Sequence, residues 1–73
     1  MREKVLLVFG AKVRERREAK GLSQEDLADL ADLDRTYVSG IERGLRNPTL
    51  LMSVKIAKAL GTTVEELYKG IKP

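Results

Sequence analysis

Residues 34–44 carry the side chains best placed to act on something outside the protein. They read Asp34-Arg-Thr-Tyr-Val-Ser-Gly-Ile-Glu-Arg-Gly44. Asp34 suits a helix N-cap, because its carboxylate can accept from free backbone N–H groups at the positive helix end. Leu33 and Val38 are spaced as a hydrophobic staple, and Gly44 is the residue expected just past the C-terminus. Val38 and Ile41 share a face that must be buried. The opposite face then presents Arg35, Thr36, Ser39, Gly40 and Arg43. These side chains can form directed hydrogen bonds and neutralise anions, which is recognition chemistry rather than bond-breaking chemistry. A glycine within a helix costs about 1 kcal/mol against alanine, so clearance for a partner is one reason for Gly40. A solvated surface helix with a neutral glycine fits this stretch equally well.

The composition narrows the chemistry further. The chain has 73 residues, no cysteine and no histidine. Disulfides, thiolate zinc sites and the usual general base are excluded. The acids are spread along helices rather than clustered at ligand spacing, so no metal is expected. One small domain spanning residues 1–73 is expected. Its core is limited, and helical packing or dimerisation must supply stability. Aromatics are 4% and charged residues 34% of the chain, which suits a Leu/Val/Ile/Ala helical core.

The net charge is +3, and its layout is polarised. Residues 1–20 are predominantly basic, residues 21–34 hold five acids and no base, and residues 35–47 return three arginines. One basic side could face a polyanion while the acidic segment faces water. The apolar run 5–9 is too short for a membrane span or signal core. A soluble, cytoplasmic protein that spans no membrane is the expectation.

The elements that position the 34–44 stretch follow from periodicity and caps. Residues 3–20 form a first helix, with Val5, Phe9 and Val13 as its stripe and Leu6 beside them. Lys12, Arg14, Arg16, Arg17 and Lys20 fall off that stripe or at its edge. Ser23 caps a second helix and pairs with Asp26 in a capping box, and Leu22 with Leu27 makes a staple. Leu27, Ala28 and Ala31 form its buried face. Gln24 stands on the exposed first turn, where an amide can meet an anion or simply be solvated. Only residues 32–34 separate this helix from the next, and two short helices joined so tightly are a helix-turn-helix. Asp32 must take the left-handed conformation in that turn. Pro48 ends the following loop, leaving Arg46 and Asn47 with no evident internal task. A fourth helix spans residues 50–60, with Leu50, Val54, Ala57 and Leu60 on one stripe and Ile56 at its edge. A fifth opens at Thr63, with Glu66 completing a capping box, and ends at Gly70.

From residue 9 to residue 68 the chain resembles the lambda-repressor-like, or Cro/C1-type, helix-turn-helix family. The carriers are Arg17, the run Gly21-Leu-Ser-Gln-Glu-Asp-Leu-Ala28, the run Val38-Ser-Gly-Ile-Glu-Arg-Gly44, then Ile56-Ala-Lys-Ala-Leu-Gly61 and Glu66-Leu67. Residues 33–48 look most like restriction–modification controller proteins, which are small dimers regulating their own operon. The resemblance implies an all-α, five-helix domain whose third helix enters the major groove of double-stranded DNA while the second crosses the backbone. It implies base contacts by Arg35, Thr36 and Ser39, and backbone contacts by Gln24, Tyr37, Arg43, Arg46 and Asn47. It implies a structural ion pair between Arg17 and Glu42.

Two features depart from the family. Glycine often stands where this chain has Asp32. Family members often read bases with amides at the places of Arg35, Thr36 and Gly40, so the target sequence cannot be copied from them. The expected function is sequence-specific transcription regulation by a homodimer on a (pseudo)palindromic operator. Leu51, Met52, Val64 and Tyr68 are candidates for the dimer surface, although Val64 and Tyr68 also suit the core. No enzyme activity, cofactor or small-molecule ligand is expected. A DNA-binding antitoxin or a phage- or plasmid-type repressor is the alternative. A protein-interaction module fits the arginines of the third helix less well.

Overall fold

In the computed structural model, which describes residues 3–72, every helix after the first starts at a side-chain cap. Ser23 Oγ accepts from the Asp26 N–H, and Asp26 Oδ2 accepts from the Ser23 N–H, both at 2.9 Å. This reciprocal box opens α2, Gln24–Ala31. Asp34 opens α3, Arg35–Glu42, by accepting from the Thr36 N–H at 2.7 Å. Thr49 opens α4, Leu50–Ala59, and Thr63 opens α5, Val64–Tyr68. α1, Lys4–Ala19, has no side-chain cap. These are the five helices among the described residues, which contain no strand.

The turn between α2 and α3 does what the sequence requires of it. Asp32 takes φ 56° and ψ 48°, the left-handed conformation. That bend lets the Leu33 N–H reach the Ala28 carbonyl at 2.8 Å, closing the helix end as a glycine would. Leu33 is then delivered to the core.

One core joins all five helices. Phe9 and Val13 of α1 meet Leu27 and Ala28 of α2, Val38 and Ile41 of α3, Ile56 and Ala57 of α4 with Leu60 at its C-cap, and Leu67 of α5. Val5 and Leu6 are only partly buried. The stripe continues instead past Val13 to Arg17, which is buried rather than solvated. Periodicity does not single out Gly10, yet it sets the distance between α1 and α3. A Cβ placed there would lie 2.3 Å from the Ile41 carbonyl oxygen and 2.7 Å from that of Glu42. Both obstacles are backbone, so a shift of the helix must absorb the clash. Gly10→Ala is expected to destabilise the fold by about 1–3 kcal/mol, despite alanine's better helix propensity, as read by chemical denaturation.

Two expectations for the C-terminal half are corrected. The buried stripe of α4 is Ser53, Ile56, Ala57 and Leu60, whereas Leu50 and Val54 are exposed. Burying a serine is affordable because its hydroxyl has partners: Ser53 Oγ donates to the Thr49 carbonyl at 3.0 Å and lies 2.9 Å from Tyr68 Oη. α5 stops at Tyr68, two residues before Gly70. Its capping box is half made: Thr63 Oγ1 accepts from the Glu66 N–H at 3.1 Å, while the Glu66 carboxylate lies 3.8 Å from Arg16. No helix is long and apolar enough to cross a membrane, and no group of three or more acidic side chains is placed to hold a metal ion, among the described residues.

Candidate nucleic-acid interface

One buried ion pair ties the α2–α3 surface to the rest of the fold. Arg17 Nε donates to Glu42 Oε2 at 2.7 Å and its Nη2 donates to Glu42 Oε1 at 3.0 Å. Arg17 Nη1 also donates to the Leu22 carbonyl at 2.7 Å. Side-chain exposure is 11% for Arg17 and 2% for Glu42, so water screens this pair little. The Glu42 carboxylate raises the Arg17 pKa above its already high ordinary value, mainly through the hydrogen bond. Gln24 Nε2 donates to Glu42 Oε1 at 3.1 Å. Glu42, at the last turn of α3, therefore holds α1 and the first residue of α2 together.

The opposite end of α3 is open. Arg35 and Thr36 are exposed and Ser39 is half-buried. Spacings of three and four residues place these side chains on one side of the helix with Arg43. Arg35 borders an open groove with Arg17, Ser23, Gln24 and Glu25, between the first turns of α2 and α3. Asp34 and Asp26 cap these two turns, and both carboxyls are held below the ordinary aspartate range. For Asp34 the cause is the bonds to Thr36, and for Asp26 those to Ser23. Their contribution to stability is in place above that range and is lost as pH falls through the lowered values.

The segment after α3 folds back over it. Gly44 takes φ 73°, and the Leu45 N–H returns to the Gly40 carbonyl at 2.9 Å. Tyr37 is half-buried against the core, with the Arg46 guanidinium carbon 5.7 Å from its ring centroid. Arg43, Arg46 and Asn47 are exposed. Gly40 does not sit on the open face as expected. It is buried, and its neighbour is Arg46.

The basic side chains of α1 are less available. Arg14 pairs with Glu18 at 3.3 Å, Arg16 lies beside Glu66, and Lys12 Nζ donates to the Lys69 carbonyl. Away from the α2–α3 surface, Leu50, Leu51 and Val54 are exposed by 73%, 61% and 45%, and form an apolar patch along α4. Met52 and Val64 are half-buried, the latter packed on the core. Tyr68 stacks on Phe9 with ring centroids 4.8 Å apart and meets Ser53 through its hydroxyl. Leu50 and Val54 were missed as surface candidates because their spacing fits a buried stripe.

Two short capped helices at a tight turn, the second with an open polar N-terminal face, define a helix-turn-helix module. The chain belongs to the Cro/C1-type helix-turn-helix family: a family model described as "Helix-turn-helix" matches residues 13–67. Within it, the similar proteins include several restriction–modification controllers alongside other helix-turn-helix transcription regulators. Control protein C.BamHI of Bacillus amyloliquefaciens is 50% identical over 68 residues, covering 92% of this chain and 84% of that protein. The crystal structure of controller protein C.AhdI from Aeromonas hydrophila superposes with TM-score 0.84 at 55% identity, over 85% of this chain and 94% of that one. The controller C.Esp1396I, solved as a tetramer with its natural 35-base-pair operator, superposes with TM-score 0.84 at 36% identity, over 94% of this chain and 91% of that one. The family is one of transcription regulators, not of enzymes.

Proposed function

We propose that this chain is a restriction–modification controller: a cytoplasmic, sequence-specific transcription regulator that binds the operator of its own operon as a homodimer. The observation that carries the reading is the pairing of an open Arg35–Thr36–Ser39 face with a rigid anchor at the other end of the same helix. In the major groove, Arg35 can meet guanine O6 and N7, Thr36 can offer a methyl or hydroxyl, and Ser39 can reach a base edge or adjoining phosphate. Gln24, Tyr37, Arg43, Arg46 and Asn47 lie at the margins of that face and hold the phosphate backbone, which sets position without reading sequence. The operator-bound C.Esp1396I relative supports an oligomer on DNA.

A second copy is the partner that the apolar patch of α4 fits. Leu50, Leu51 and Val54 offer an exposed apolar surface for a two-fold contact, and the half-buried Met52 lies farther round the same helix. Val64 packs on the protomer core, and Tyr68, stacked on Phe9 but 37% exposed, keeps surface that a second copy can cover. Leu51→Glu is expected to shift sedimentation from dimer to monomer and to weaken operator binding, because each protomer then holds one half-site alone. Unaltered sedimentation would remove α4 from the interface. The functional reading is tested by footprinting the purified chain on DNA from upstream of its own gene. Two protected half-sites about 34 Å apart, or a multiple of that spacing, are expected. The absence of any protected site in that region would defeat the controller assignment.

A further inference from the structure

Gly40 lies where the segment after α3 folds back over the helix. It is buried, although the residues three and four positions before it, Tyr37 and Thr36, belong to the proposed recognition surface. A Cβ at Gly40 would lie 2.6 Å from Arg46 Cγ, 3.4 Å from its Nε and 3.6 Å from its Cδ. The aliphatic stem of Arg46 therefore lies directly on the bare backbone of residue 40. Its guanidinium then reaches Tyr37 at 5.7 Å from the ring centroid, within range of a cation–π contact. The Leu45 N–H bonded to the Gly40 carbonyl fixes the approach of the preceding residue.

We infer that Gly40 is a positioning residue: its missing Cβ gives Arg46 a channel across α3 onto Tyr37, so the cation is set for DNA before DNA arrives. The inference rests on the proposed DNA-binding function and adds how one of its contacts is prepared. A free arginine samples many rotamers, and ordering it on binding weakens a complex by about three- to tenfold. Packed over Gly40 and against Tyr37, Arg46 has lost much of that freedom already. Gly40 itself has no need of a positive φ, so alanine is conformationally acceptable there and gains helix propensity.

Gly40→Ala separates this role from a structural one. The substitution is expected to move the melting temperature by less than about 4–8 °C, because alanine's helix propensity offsets the contact that the displaced Arg46 side chain loses. Binding should be measured with a duplex selected by the wild-type chain from a randomised library. Gly40→Ala should weaken it about three- to tenfold per protomer, compounded over the two half-sites, in the wild-type background and less than about twofold in Arg46→Ala, because the two changes act through one side chain. In the free protein, the Arg46 methylene protons should lose the ring-current shift imposed by Tyr37. Equal weakening in both backgrounds would overturn the inference, since the new methyl would then be meeting DNA directly. Undiminished binding by Gly40→Ala would overturn it, as would an unchanged Arg46 shift. If the wild-type chain selects no duplex, the DNA reading falls and the role of Gly40 in it falls too. The proton shifts then still report separately whether Gly40 holds Arg46 in place.

Discussion

Glu42→Ala is expected to lower stability by about 3–5 kcal/mol. The Glu42 carboxylate accepts from Arg17 at 2.7 and 3.0 Å and from Gln24 at 3.1 Å, with its side chain 2% exposed. Truncation leaves the Arg17 guanidinium buried with only the Leu22 carbonyl as a partner. A 73-residue domain has about 4–11 kcal/mol in total at the usual 0.05–0.15 kcal/mol per residue, so much of the margin disappears. Each kcal/mol moves Tm by roughly 4–8 °C in a domain of this size, giving a fall of at least about 12 °C by calorimetry. The double variant Arg17→Met, Glu42→Leu should recover most of that loss, because a buried pair replaced as a whole by apolar side chains is often neutral. A single variant with an unchanged melting curve would contradict the structural role. The pair does more than stabilise: it fixes the C-terminal end of α3 against α1 and α2, so the damage should extend to recognition.

Arg35→Ala should have the largest effect on DNA binding, and a selective one. The side chain is exposed at the first residue of α3 and leads into the open groove beside Gln24. A bidentate arginine–guanine contact discriminates by about 1–3 kcal/mol. A two-fold dimer loses that contact twice, about 2–6 kcal/mol in all, or roughly thirtyfold or more in affinity for the selected operator. Preference at one base pair of each half-site should vanish while the others persist. Gln24→Ala should instead weaken all duplexes alike, as loss of a backbone contact does. The Gln24–Glu42 bond makes a melting curve of that variant a necessary control. Parallel behaviour of the two variants on operator and random DNA would refute the division between reading and holding.

Local signals in the sequence place most of the frame around these residues. Ser23 with Asp26, Asp34 and Thr49 announce helix starts through chemistry that involves neighbours two or three positions away. Asp32 adopts the left-handed turn that a three-residue connection demands. The spacing 9, 13, 17 even points Arg17 inward, although an arginine is ordinarily assigned to solvent.

What periodicity misses are contacts made across the fold. α4 carries apolar residues nearly all round, so its phase is ambiguous by hydrophobicity. Ser53 wins the interior because Thr49 and Tyr68 satisfy its hydroxyl, and Leu50 and Val54 turn outward. Gly10 and Gly40 both answer to chain segments remote in sequence or folded back from a loop. No local pattern announces either contact. Clearance at Gly40 is real, and its occupant is Arg46.

On the proposed function, the α2–α3 surface reads a DNA sequence. The direct test is equilibrium binding of the wild-type chain to its selected duplex and to a scrambled duplex of equal length, across a salt series. The selected duplex is expected to bind at least about a thousandfold tighter. Both affinities should fall with salt at about −0.9 per neutralised phosphate on logarithmic axes. Equal affinity for the two duplexes at every salt concentration would contradict the proposed function.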